Sequence, residues 1–161
     1  MTTLADLIDR HEIHQVLLRY ARGLDRLDNA LVRSCYWDDA IDDHGHFVGA
    51  PDAFIAYADS TTLLFKTSQH GILNHFCDLQ GEDAYCETYY HFSGVTEQGP
   101  NFMSTGRYVD HLQKRGGEWR IAESHRRSLQ RRAHPDTGDV PLLSASIHRH
   151  RNADETQTLG F

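Results

Sequence analysis

Four long stretches rich in Tyr, Thr, Phe and Val follow one another with only turn-length gaps: Gln69–Leu79, Ala84–Val95, Phe102–Gln113 and Trp119–Arg131. The gaps are Gln80-Gly81-Glu82-Asp83, Glu97-Gln98-Gly99-Pro100-Asn101 and Lys114-Arg115-Gly116-Gly117. Strands joined by so few residues pair antiparallel with their neighbours, because a parallel crossover needs a dozen residues or more. The C-terminal half is thereby confined to one antiparallel meander.

The first third has a different period. Leu4, Leu7, Ile8 and His11, then Ile13, Val16, Leu17, Tyr20 and Leu24, recur at steps of three and four, which is the stripe of an amphipathic helix. Gly23 is where that helix can end, with Asp25 just past it. Asp28 can cap a second, short helix from Asn29 to about Trp37, with Leu31, Ser34 and Cys35 inward. Pro51 in the first turn opens a third helix through Phe54, Ile55 and Ala58. Between them, 40–48 reads as a short hairpin turning at His44-Gly45-His46. Three helices before four strands make an α+β domain, with helices packed on one face of a curved antiparallel sheet.

A chain of 161 residues supports one such core. The domain is expected over 1–132, with 133–161 a tail that has a short segment around 142–147 and a polar end, 152–158, that is disordered or lies along a neighbouring subunit. The formal charge of −7 argues against a nucleic-acid binder, and the one local basic run, Arg126-Arg127-Ser128-Leu129-Gln130-Arg131-Arg132, reads as part of a strand that can also serve a pocket. No apolar run approaches a membrane span, and the first residues lack the pattern of a signal peptide. Three cysteines without metal-ligand spacing (Cys35, Cys77, Cys86) point to a reduced, cytoplasmic setting. Cys35 and Cys77 read as small core residues.

The order of Tyr20-Ala-Arg-Gly-Leu-Asp25, Tyr36-Trp37-Asp38-Asp39-Ala40, Gln69-His70-Gly-Ile-Leu-Asn74, Thr105-Gly106-Arg107-Tyr108 and Gly117-Glu118-Trp119-Arg120-Ile121 resembles the SnoaL-like branch of the nuclear-transport-factor-2-like superfamily. Within it the pattern resembles scytalone dehydratase, bile acid 7α-dehydratase and hexachlorocyclohexane dehydrochlorinase. The resemblance implies a cone-shaped α+β barrel around a deep pocket, closed at one end by helices. It implies an Asp25–His70 catalytic dyad that needs no metal and no organic cofactor. Tyr20 falls where the bile acid enzyme has an active-site tyrosine, and Arg127 where the dehydrochlorinase has a pocket arginine. Asp43 or His44 lies near the place of a water-holding tyrosine, which is absent here. Similar dehydratases form trimers and other relatives dimers, so a homo-oligomer is expected, a trimer first.

The residues support that chemistry. Side chains at steps of two share a strand face, so His70, Ile72, Asn74 and Phe76 point one way. An ionised Asp25 on Nδ1–H fixes the His70 tautomer, leaves the other nitrogen as a base and stabilises the imidazolium that forms. The reaction expected is removal of a proton beside a carbonyl of a small hydrophobic cyclic or polycyclic substrate, with loss of a β-hydroxyl as water. Tyr20 is the third candidate catalytic residue, and Arg127, Asn74, Asp43 and Tyr90 are the candidate substrate contacts. Isomerisation by the same dyad, as in ketosteroid isomerase, is one alternative. A non-catalytic subunit like the small subunit of ring-hydroxylating dioxygenases is another. His44-Gly45-His46 after Asp42-Asp43 suggests metal ligands, but no glutamate follows at a useful spacing and the glycine marks a turn tip, so no metal is expected.

Overall fold

A computed structural model describes residues 2–134 of the chain, with side chains to Ser128. The elements run α1 (Leu4–Arg26), α2 (Asn29–Ser34), β1 (Tyr36–Asp43), β2 (Val48–Gly49), α3 (Pro51–Thr62), β3 (Phe65–Gln80), β4 (Asp83–Thr96), β5 (Asn101–Arg115) and β6 (Glu118–His134). One six-stranded sheet is ordered β2-β1-β6-β5-β4-β3. The meander is antiparallel throughout, as its short turns require. β1 lies parallel to β6, so the sheet is mixed: α3 and the whole meander separate the two strands in sequence, which leaves room for a parallel crossover. Strand β6 runs past the expected boundary at 132, to His134, and the rest of the expected tail lies outside the described residues.

Thr3 and Asp6 cap α1 reciprocally, each side chain accepting from the other's backbone N–H. The helix does not stop at Gly23. It continues to Arg26, and Leu27 closes it in the left-handed region at φ 53°. Gly23 is instead a contact point, because a Cβ there would lie 2.6 Å from Val32 Cγ2 of α2. Asp25 therefore sits in the helix's last turn. Burial starts at Ile13, while Leu4, Leu7 and Ile8 of the expected stripe are exposed. Helix α2 ends at Ser34, three residues short of Trp37, since Tyr36 and Trp37 enter β1.

The concave face collects Tyr20, Tyr36, Phe54, Tyr108, Leu112, Trp119 and Ile121 between sheet and helices. Full burial of each such side chain contributes about 1.5–3 kcal/mol. Leu112 is fully buried in this core. Register shifts after Ile72 in β3 and between His111 and Leu112 on β5, opposite Ala122 in β6, bend the sheet. A bulge also inverts every side chain beyond it, and this decides which residues line the pocket. Among the described residues no helix is long and apolar enough to cross a membrane.

Candidate active site

β3 is an edge strand, so alternate backbone N–H groups along it lack a sheet partner. The N–H of His70 is taken by both carboxylate oxygens of Asp25, at 3.0 and 2.9 Å. Asp25 Oδ1 also accepts from the ring Nδ1–H of the same residue at 2.6 Å. One carboxylate thus fixes backbone and ring together, and no hydrogen bond to Nε2 is found among the described residues. His70 packs on Phe92, its register partner in β4, with ring centroids 4.7 Å apart. The pair is largely withdrawn from solvent, with 13% of the His70 side chain and 19% of Asp25 exposed.

His70 borders two spaces. On one side is a cavity of about 210 Å³, walled by Leu24, Phe54, Tyr57, Phe65, Phe92 and Phe102, with His44, His46, Thr61, Thr62 and Arg126 as polar groups. On the other is an open groove between α1 and β3, bordered by Asp25, Arg22, Arg26, Ser68 and Gln69. The imidazole is a partition between an apolar chamber and a wet groove.

A second acid–imidazole pair faces the chamber. Asp42 and His44 lie two residues apart at the end of β1, and Asp42 Oδ1 accepts from His44 Nδ1. Tyr36 Oη donates to the other Asp42 oxygen at 2.5 Å, and Tyr20 Oη lies 3.4 Å from His44 Nε2. Asp42 is fully buried, and the His44 ring stacks on Phe54 at 4.4 Å. The sequence signal for this pair is Asp-x-His where a strand ends, a spacing of two that leaves both side chains on one face. Reading 44–46 as a turn tip hid it.

The other expected residues are placed differently. Tyr20 is buried behind His44, among Tyr36, Phe54 and Tyr108, and does not line the cavity. Burial foremost, and the nearby Tyr108 and Asp42, raise its pKa well above the ordinary value, so it stays a donor. Arg127 does not reach the pocket. Counting by twos from buried Trp119 brings it inside, but the bulge at Ala122 shifts the inner set to Ser124, Arg126 and Ser128, and Arg127 is exposed. Arg126 takes its place, and its Nε donates to Tyr90 Oη at 2.9 Å. Asn74 is exposed because the β3 bulge ends the His70–Ile72 alternation, and Phe76 is exposed with it. Asp43 pairs with His125 on the outer side of the sheet and accepts from the Gly45 N–H at 2.7 Å. Tyr90 is buried beneath Arg126, and its hydroxyl also contacts Ser104 and Ser128 at 3.3 and 3.0 Å. Burial alone pushes that hydroxyl's pKa up, but Arg126 and the two serines outweigh it and leave it lowered. Arg107 Nη1 donates to Glu87 Oε2 at 2.9 Å, and the two residues share the outer face.

The profile of the SnoaL-like domain matches residues 5–125. No curated protein matches the chain. Among solved structures, a Novosphingobium aromaticivorans protein named for scytalone dehydratase is 17% identical, with a TM-score of 0.73 over 84% of this chain and 97% of its own. The hexachlorocyclohexane dehydrochlorinase LinA-type3 from Novosphingobium barchaimii is 16% identical, with a TM-score of 0.77 over 87% and 99%. An N. aromaticivorans protein named for an aromatic ring hydroxylase is 19% identical, with a TM-score of 0.72 over 79% and 94%. Helices on a curved six-stranded sheet and a domain match over three-quarters of its length place the chain in the SnoaL-like family of the nuclear-transport-factor-2-like superfamily.

Proposed function

We propose that the chain is a cofactor-independent lyase, dehydratase-like, acting on a small hydrophobic cyclic substrate that carries a carbonyl and a β-leaving group. The observation that carries this reading is the Asp25–His70 pair at the wall of a largely aromatic and aliphatic chamber. His70 Nε2 takes the proton next to the carbonyl, and Asp25 stabilises the imidazolium. Arg126 is a permanent cation in an apolar setting, suited to the developing enolate oxygen. His44, held at Nδ1 by Asp42, acts as the imidazolium: its Nε2 proton goes to the departing hydroxyl, and a proton from solvent restores it after the product leaves. Water is formed, and the double bond closes between the two carbons. The proton on His70 then leaves through the groove beside Asp25.

The second imidazole also favours a second reading. If His44 returns the proton to carbon, the outcome is isomerisation, and product mass separates the two: loss of water against no change. A purely structural subunit has no use for two acid–imidazole pairs on one cavity, which weighs against the non-catalytic alternative.

The test is turnover on a panel of cyclic β-hydroxyketones by His70→Ala and Asp25→Asn variants with native circular dichroism. His70→Ala is expected to lose on the order of 10²–10⁴-fold in kcat, the usual worth of a positioned base. Wild-type turnover in a folded His70→Ala variant removes the proposal.

A further inference from the structure

We infer that the β3–β4 hairpin carries a binding site for a borderline-soft divalent metal ion, zinc in type, made by His75, Cys77 and Cys86. The site is separate from the chamber and goes beyond the proposed reaction.

The hairpin register builds it. Cys77 and Cys86 lie directly opposite each other, and so do His75 and Thr88 one step along the same face. The four side chains form a two-by-two patch on the concave side, under α1, where His14 stacks on the His75 ring at 5.1 Å. One imidazole nitrogen and both sulfurs lie within 4.8 Å of one another, and both cysteines are buried. A tetrahedron with zinc–sulfur and zinc–nitrogen bonds of about 2.3 and 2.0–2.1 Å has edges of roughly 3.5–3.8 Å. Closing the cluster onto an ion takes about 1 Å of side-chain movement.

A second observation points the same way. His75 Nδ1 is bound to Thr88 Oγ1 at 2.8 Å, while Nε2 is buried with no hydrogen-bond partner among the described residues. A buried ring nitrogen without a partner is costly. Fixing one imidazole nitrogen by an outer hydrogen bond so that the other presents its lone pair is how metal-binding histidines are held. Two thiolates and one imidazole also match the ligand preference of zinc, and a dication cancels the charge of two buried thiolates. A water completes the tetrahedron.

The experiment is a cobalt(II) titration of the full chain, kept in a thiol-free reductant after dialysis against chelator. The expected result is one cobalt per chain, with a near-ultraviolet thiolate-to-cobalt band, visible bands of tetrahedral intensity, and displacement by zinc. The thiolate band separates this site from adventitious binding to the chain's other histidines. Cys77→Ala and Cys86→Ala should each abolish it, Cys35→Ala should leave it intact, and Thr88→Val should weaken binding about 10–100-fold. If the cysteine variants do not fold, zinc protection of two of the three thiols against a thiol reagent in the wild-type chain carries the same information. No thiolate band, a band that survives both cysteine substitutions, or equal reactivity of all three thiols with and without zinc overturns the inference.

Discussion

Asp110 stands on the concave face beside the Asp42–His44 pair, with one oxygen accepting from Ser124 Oγ at 2.6 Å. Its other oxygen is buried without a hydrogen-bond partner among the described residues. Burial raises its pKa from 3.8 to about 7, the charge of Asp42 adds to the rise, and Ser124 opposes it. Between those values the folded chain holds a proton that the unfolded chain has released. Stability then falls as pH rises through that window and stops falling above about 7. An Asp110→Asn variant keeps the neutral shape and removes the titration. Its thermal midpoint, followed from about pH 4 to pH 8, should decline less steeply than that of the wild type; identical slopes would mean that Asp110 titrates as an ordinary carboxylate.

The strands place the site through their irregularities. In β5 the alternation is unbroken from Ser104 through Gly106, Tyr108 and Asp110 to Leu112, all buried. β6 carries one extra residue at Ala122, and that offset brings Arg126 inward in place of Arg127. Helices, strand order within the meander and the Asp25–His70 pairing follow from period, turn residues and family pattern. Bulges have no comparable signal, because an extra Ala or Leu costs nothing in composition. Hence plain alternation places Asn74 on the His70 face, which it does not occupy, while Arg127 and Asp43, expected from the family pattern, also point away from the pocket. The cysteine pair carries no sequence signal for a related reason: its residues come from two strands, and only the register joins them. Gly106 shows how tightly the meander is fitted around Arg126. A Cβ there would lie 2.3 Å from the Arg127 carbonyl oxygen and 2.8 Å from Tyr90 Oη and Cε1. Backbone cannot yield as a side chain can, so Gly106→Ala should destabilise by about 1–3 kcal/mol in urea unfolding. Because Tyr90 holds Arg126, the same variant should raise KM. Unchanged unfolding would show that the strands part easily at this point.

Helix α1 crosses the open face of the cone and is fastened near both ends by a carboxylate. At its C-terminal end Asp25 holds the edge strand at His70. Near its start, Asp9 Oδ1 accepts from Lys114 Nζ at 2.6 Å and from the indole N–H of Trp119 at 2.9 Å, which ties the helix to both sides of the β5–β6 turn. Trp119 is only 2% exposed, so water cannot readily replace that acceptor. The helix is a strap, and the position of Asp25 depends on both attachments. Asp9→Ala removes two hydrogen bonds and strands a buried donor, at a cost of about 2–4 kcal/mol. The loss should depend on pH in a defined direction. The hydrogen bonds from Lys114, and next from Trp119, lower the Asp9 pKa below 3.8. Its contribution is therefore complete above 3.8 and is lost as pH falls through the lower, folded-state value. The wild type and Asp9→Ala should differ most near neutrality and converge in acid, the reverse of the Asp110 trend. Thermal unfolding of both proteins from about pH 2 to pH 7 reads this directly. A constant difference across that range would mean that Asp9 contributes by packing alone, and that α1 is seated by its apolar stripe.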